Sequence, residues 1–379
     1  MLTPASNSPH DPLLPRVTLL ITQRPRPGLG RLLPTLEALG APAMTMLATQ
    51  IGDSLPPPFH LAPQQVVVLA TDAPSAAAAW RAGAGLVAGL GSGSQAVAQL
   101  AAGAELVLRA PSEIGSGSLL QAYADKFRRL PEAELSASHD AALALFLNLD
   151  HLLLPTSGRP TADRLPSLWH ELLPALAARY PTAVISQRSL GELAARIPEP
   201  AVYLAGNHGL QLSGPAYAPA SLDATFGWRP VLDAACERLR MLADPFPGCQ
   251  VIHKDAALSL DLGELAPAAA VQLRRAVLRT LAGFDGLQVD GDRRQLEIRP
   301  ALNWDAGAAV DWLLAQMRLA VGPCRAVYLG RCAHDEPAFR AMRRVDGLGV
   351  LLDADGQPTA ASRRLDSAAL PAMLETLLR

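Results

Sequence analysis

Residues 142–148 read Ala-Leu-Ala-Leu-Phe-Leu-Asn, an apolar run that ends on a polar residue, with Leu149 and Asp150 directly behind it. A run this short and this apolar is the pattern of a strand buried on both faces of a parallel sheet. The residues after it repeat the theme: a helix over Leu165–Ala178, a strand over Ala183–Ser186, and a strand over Val202–Ala205 that enters the turn Gly206-Asn207-His208-Gly209. Such alternation predicts an α/β fold, in which ligand chemistry gathers at the C-terminal ends of the strands. From Gln211 to about Ile298 the pattern changes to α+β, with helices over Arg229–Leu242 and Ala266–Ala282 and strands over Gln250–His253, Ala256–Leu262, Leu287–Val289 and Gln295–Ile298. Alternation then returns: helix Ala306–Leu319, strand Ala326–Leu329, helix Glu336–Met342, strand Gly347–Leu352 and a closing helix Ser367–Leu378. A compact insert inside a parallel-sheet domain accounts for this order, with ligand space between core and insert.

Upstream, residues 1–16 form a polar, Pro-rich lead-in. A smaller α/β unit is expected behind it, with strands at Val17–Thr22, Gln65–Ala70, Gly85–Ala88 and Ala104–Leu108 and helices near Leu29–Leu39 and Gln95–Ala101. The stretch from Ser112 to Ser138 reads as a linker carrying one amphipathic helix. The expected organisation is an N-terminal domain over 1–138, a core over 139–210 and 299–379, and a cap over 211–298. The glycine turn at residues 89–94, G-L-G-S-G-S, has neither the spacing of a dinucleotide loop nor the Lys ending of a phosphate loop, and reads as a strand-to-helix turn.

Composition excludes several classes of function. The chain has 379 residues, half of them hydrophobic, and a formal net charge of −2, so it lacks the broad cationic field of a general nucleic-acid or anionic-membrane binder. Its apolar stretches are short and broken by Arg, Asp, Pro or Gly, which argues against a membrane span, and the polar N-terminus has no signal-peptide pattern. A cytoplasmic protein is expected. The four cysteines contain no C-x-x-C pair and predict neither a disulfide framework nor a zinc site. Lysine occurs only at Lys126 and Lys254, which singles out both positions.

The strand ends carry a recognisable series. Residues 145–155, L-F-L-N-L-D-H-L-L-L-P, are similar to L-F-x-D-F/Y-D-G-T-L-x-P. Residues 183–193, A-V-I-S-Q-R-S-L-G-E-L, are similar to a V-S-G-R-x-L segment, and residues 203–209, Y-L-A-G-N-H-G, to Y-A-G-S-H-G. Residues 246–254, F-P-G-C-Q-V-I-H-K, are similar to a cap stretch ending in H-K. Residues 296–300, L-E-I-R-P, and 304–307, W-D-A-G, are similar to E-I/V-R-P and D-K-G, and residues 327–339, V-Y-L-G-R-C-A-H-D-E-P-A-F, to Y-I/L-G-D-D-x-T-D-E-x-A-F. Six motifs in this order resemble those of the trehalose-6-phosphate phosphatases of the haloacid dehalogenase superfamily. Residues 77–108 resemble the extra N-terminal domain of the mycobacterial type, a shortened dehalogenase-like fold without an active site. The resemblance implies a Rossmann-like dehalogenase core with an inserted α+β cap, preceded by that smaller α/β domain.

It also implies a chemistry. In the superfamily a first aspartate attacks phosphorus, a second protonates the leaving sugar oxygen, and Mg²⁺ bridges phosphate and carboxylates. Here the nucleophile position is Asn148, whose carboxamide has no anionic oxygen, while the general-acid position is retained as Asp150. Arg331 and Cys332 stand at the paired acids that hold the metal, Ala306 at the phosphate lysine, His151-Leu152 at Gly-Thr, and Gln187 at a glycine. Arginine cannot ligate a hard cation that wants oxygen donors. No metal ligand set is expected, and so no cofactor, and the implied reading is a pseudophosphatase with a binding, regulatory or scaffold role; the alternative is a working trehalose-6-phosphate phosphatase. Ser186, Arg188 and Arg331 are the candidate phosphate-binding residues, unless Arg331 pairs with Asp150 or Asp335 and plugs the cavity. His208, Lys254, Glu297 and Arg299 match the sugar-recognition positions, against the alternatives of a turn histidine, a surface lysine and a structural ion pair. The expected partners are a sugar phosphate or phosphate, and enzymes of trehalose synthesis.

Overall fold

The computed structural model describes residues 17–22, 43–47, 62–109, 118–135, 142–150, 166–215, 221–263, 265–291, 295–331, 333–354 and 356–379. The expected helix at Leu29–Leu39, His151-Leu152 and Cys332 lie outside the described residues. The chain forms two compact units, Met1–Leu135 with Gly330–Pro371, and Ser136–Leu329 with Ala372–Arg379.

In the first unit, β1 (Val17–Thr22), β2 (Ala43–Leu47), β3 (Val66–Ala70), β4 (Leu86–Leu90) and β5 (Leu106–Leu108) form a parallel sheet in the order β2-β1-β3-β4-β5. The Val-Val-Val-Leu-Ala run of β3 is buried throughout, as the central position demands. Helices α1 (Ala73–Arg81), α2 (Ser94–Ala101) and α3 (Ser118–Arg128) accompany the sheet. Asp72 caps α1 by accepting from the Ser75 amide at 2.9 Å.

The amphipathic helix expected within residues 112–138 is α3, and it packs on the sheet. Leu119, Tyr123 and Phe127 of α3 are buried in one cluster with Val67, Leu69 and Leu86, and the Tyr123 hydroxyl donates to the Gln64 carbonyl at 2.9 Å. Their i, i+4, i+8 spacing places them on one helical face, so α3 belongs to the core of the sheet.

Lys126 on the same helix is enclosed with its ammonium 2.8 Å from Glu105, and it donates to the Gly85 carbonyl. Burial pushes its pKa down to about 8, with Glu105 opposing. An unfolded-chain lysine titrates near 10.4. Between those values the unfolded state binds the proton more than the folded state, so this group's contribution rises as pH increases through that window. Urea midpoints measured from pH 7.5 to 9.5 should therefore climb for the wild type relative to Lys126→Met. Parallel curves for the two proteins would show that Lys126 carries no such linkage.

In the second unit, β6 (Ala142–Asn148) is central, with β7 (Thr182–Ile185) parallel on one side. β8 (Val202–Gly206) is parallel to β7, and the short β9 (Gln211–Ser213) and β10 (Ser221–Asp223) extend the edge antiparallel. Helices α4 (Ser167–Arg179) and α5 (Leu190–Arg196) follow β6 and β7 in the chain. A capping box opens α5: Ser189 Oγ accepts from the Glu192 amide and Glu192 accepts from the Ser189 amide, both at 3.2 Å.

The insert contains α6 (Arg229–Ala243), β11 (Gln250–His253), β12 (Leu258–Asp261), α7 (Pro267–Leu281), β13 (Leu287–Gly291) and β14 (Gln295–Pro300). Its antiparallel sheet has the order β11-β12-β14-β13. Leu258, Leu260, Leu296 and Ile298 pack against Leu232, Leu239, Leu273 and Val277 of the two helices. After α8 (Ala306–Val321), β15 (Cys324–Gly330) runs parallel to β6 on its other side, Tyr328 opposite Phe146.

The first unit also holds α9 (Glu336–Arg344) and the parallel pair β16 (Leu348–Leu352) and β17 (Arg363–Leu365); α10 (Leu370–Leu378) closes the chain. The α/β class and the inserted α+β layer match the sequence reading. The three-residue strands β9, β10 and β17 are too short to leave a periodic signal and were not expected.

Candidate functional site

The C-terminal ends of β6, β7 and β8 bring Asn148, Ser186 and the 207–209 turn to one end of the sheet. Asn148 is buried and its Oδ1 accepts from the Asp150 amide at 2.9 Å, an Asx-type turn that fixes the chain as it leaves the strand. Asp150 turns toward β7. Its oxygens accept from Ser186 Oγ at 2.9 and 3.0 Å and from the Gln187 amide at 2.6 Å, and Arg188 Nε lies 3.4 Å away. Ser186 Oγ in turn accepts from the Arg188 amide at 3.0 Å. The Ser186 hydroxyl and the Arg188 guanidinium, both expected to receive a phosphate, are thus directed at the chain's own carboxylate, as is the Gln187 amide.

The turn after β8 is backbone-anchored to the same loop. The Asn207 amide donates to the Arg188 carbonyl at 2.7 Å and the His208 amide to the Ser186 carbonyl at 2.9 Å. Asn207, His208 and Gly209 all have positive φ, at 51°, 58° and 88°. A Cβ on Gly209 would meet Ala309 Cβ at 2.4 Å, so only glycine lets this turn rest on α8. Trp304 Nε1 donates to the Gly209 carbonyl at 2.7 Å. The position of the phosphate lysine is Ala306, first residue of α8, which Asp305 caps by accepting from the Gly307 and Ala308 amides.

In the insert, Lys254 is buried and its ammonium pairs with Glu297 Oε1 at 2.8 Å, which replaces the surface-lysine alternative. Gln295 Nε2 also donates to Glu297 Oε1, at 2.6 Å. Arg299 makes a two-pronged contact with Asp290, at 3.0 and 2.8 Å. Glu297 and Arg299 therefore have separate partners, although they share a strand face.

Arg331 lies within the first unit. Its guanidinium sits 2.9 Å from Asp353 at the end of β16, and its backbone amide donates to Asp335 Oδ2 at 2.8 Å. Gly330 leaves room for that buried carboxylate: a Cβ there would lie 2.5 Å from Asp335 Cγ. The cation reaches Asp353 because β16 ends on that loop, a neighbour 22 positions downstream that no local pattern reveals.

The donor set does not fit the Mg²⁺ that the resemblance implies. Such an ion wants several anionic or carbonyl oxygens, whereas Asn148 is a neutral amide and Arg331 already neutralises Asp353. Among the described residues, no group of three or more His, Cys, Asp or Glu side chains gathers as a metal would require.

Comparison with known proteins places the chain. The model of the Trehalose-phosphatase family matches residues 146–369, and the chain belongs to that family. It is 32% identical over 324 residues to the trehalose-phosphate phosphatase of Mycobacterium avium, covering 82% of each chain. That alignment is longer than residues 140–379 alone can supply, so it reaches into the N-terminal region. The protein of the same name from Mycobacterium marinum is 30% identical over 321 residues, covering 81% of this chain and 80% of its relative. A solved trehalose-6-phosphate phosphatase related protein superposes with a TM-score of 0.53 at 22% identity, over 62% of this chain and 97% of that one. The C-terminal domain of the Candida albicans trehalose-6-phosphate phosphatase gives the same TM-score at 16% identity, over 67% and 94%. These two likenesses establish the dehalogenase-type fold. Among the described residues no helix is long and apolar enough to cross a membrane.

Proposed function

We propose that this chain is a catalytically inactive member of its family, acting in trehalose metabolism as a binding, regulatory or scaffold protein. The supporting observation is the condition of the strand-end site. An amide occupies the nucleophile position, and Asp150 is held by Ser186, Gln187 and Arg188. Losing an anionic nucleophile removes the covalent route, with an expected deficit of about 10⁴ or more in rate.

A sugar phosphate entering this pocket has to displace Asp150 from Ser186 and Arg188 before it gains those donors. Trehalose 6-phosphate remains the natural candidate ligand, and enzymes of trehalose synthesis the natural protein partners. A second reading, a working trehalose-6-phosphate phosphatase, draws on the names of the mycobacterial relatives.

A sensitive phosphate-release assay with trehalose 6-phosphate and Mg²⁺ separates the two readings. The expected result is no turnover above background. Mg²⁺-dependent turnover that disappears in Asp150→Asn would establish the second reading instead. Titration calorimetry with the same ligand tests retention of binding, and no heat at millimolar concentration would leave only the scaffold role.

A further inference from the structure

Asn207 is fully buried, yet it stands in a turn where the matching family motif carries serine. Asparagine tolerates the left-handed conformation adopted here, but that accounts only for its backbone. Its side chain does something separate. Nδ2 donates to Gln211 Oε1 at 3.0 Å and, across 47 positions of sequence, to the Lys254 carbonyl at 2.6 Å. Lys254 lies in the turn of the β11–β12 hairpin, where its own amide bonds the Ala257 carbonyl and its ammonium holds Glu297. One buried amide therefore joins the end of β8 to the insert.

Both ends of the connection are stiff. On the core side the turn is held by the Arg188 and Ser186 carbonyls, by Trp304 and by the close seat of Gly209 on Ala309. On the insert side the bond reaches main chain, so rotation of the lysine side chain cannot release it. The insert sheet points Leu258 and Leu260 into its helices. Ser259 and Glu297 alternate onto the opposite face and are nevertheless buried, at 1% and 4% exposure. On that face Gln295 donates to both Ser259 Oγ and Glu297 Oε1, and Lys254, whose carbonyl receives the Asn207 amide, pairs with Glu297.

We propose that Asn207 is a latch that holds the insert shut over the strand ends. In an active cap enzyme such a contact would slow substrate entry and product release. In this chain it keeps one conformation permanently on display, and a pocket ligand has to break the latch before it enters. The proposal stands apart from the question of hydrolysis, since it concerns the motion of the insert and not the chemistry beneath it.

Ser259→Cys provides a reporter on the buried face, with alkylation by iodoacetamide read at that residue by mass spectrometry so that native thiols do not interfere. In this background Asn207→Asp keeps the side-chain shape and removes the donors, while Asn207→Gly keeps the left-handed turn and removes the side chain. Both should label about tenfold faster than the parent, the size expected for one lost buried hydrogen bond. Gln211→Ala removes the other partner of the same amide and should stay within twofold of the parent. Unchanged rates in the two Asn207 variants, or equal acceleration in Gln211→Ala, would overturn the latch. Failure of the phosphatase assay to show inactivity would leave this result untouched.

Discussion

Asn148→Asp alone is expected to leave phosphate release from trehalose 6-phosphate at background, with activity returning only when Ala306→Lys, Arg331→Asp and Cys332→Asp accompany it. The expected gain of the four-fold variant over the single one is about 10⁴ or more, the scale set by loss of a covalent nucleophile. The reason is electrostatic. A carboxylate restored at Asn148 stands two residues from Asp150, whose own charge is balanced by Arg188, Ser186 and the Gln187 amide. Those groups are already directed at Asp150 and so do not serve the newcomer. Arg331 cannot supply a metal's place, because its guanidinium sits on Asp353. Removing that arginine frees the Asp353 carboxylate, and the lysine at 306 restores a cation at the start of α8. Phosphate release measured across a Mg²⁺ titration checks this. Turnover by Asn148→Asp alone would mean that one residue separates this chain from an enzyme, and the remaining changes would need another explanation.

The strand ends were legible because each motif is local. A buried apolar strand followed by a polar terminus gives the position of Asn148, Ser186 and Asn207 from the residues themselves, and the observed strands end within a residue or two of the expected ones. The retained and replaced residues could be named before any geometry was available. What was not legible is pairing across the chain. The choice of Asp353 by Arg331, of Lys254 by Glu297 and of Asp290 by Arg299 depends on which loops the topology brings side by side.

Asn207 shows the same limit from another direction. The turn that contains it is recognisable as a motif, but nothing in the motif marks its side-chain amide. Its second partner is a main-chain oxygen, which has no residue identity to search for. The packing of the helix carrying Lys126 was not legible for a related reason. The polar, Gly/Ser-rich start of that stretch and its charged middle resemble a linker, and the burial of Leu119, Tyr123 and Phe127 appears only once the sheet beneath them is assembled.

Arg343→Ala should be the most damaging substitution outside the strand-end site, costing about 3–5 kcal/mol of stability, the range for breaking a buried charged contact. Arg343 lies on α9 and is buried in the first unit. Its Nε donates to the Ala360 carbonyl at 2.8 Å and its Nη1 to the Ala84 carbonyl at 3.0 Å. The guanidinium carbon stacks 4.2 Å from the centre of the Trp80 ring. Burial pushes its pKa down, while Glu105 and Glu336 oppose the shift. Alanine removes the cation that reaches both carbonyls and leaves those oxygens, Glu336 and the face of Trp80 without it. Lysine keeps the charge but cannot bond two carbonyls in fixed directions while lying flat on an indole, so Arg343→Lys should recover no more than about half of the loss. Urea denaturation of the full chain measures both. A cost under about 1 kcal/mol for alanine would mean that the contact is dispensable. The two carbonyls come from residues 84 and 360, and the hydrogen bonds of one side chain join them. The N-terminal sheet is thereby tied to the segment that begins at Arg331, and a change that loosens Arg343 should also be felt by the Arg331–Asp353 pair a single helix away.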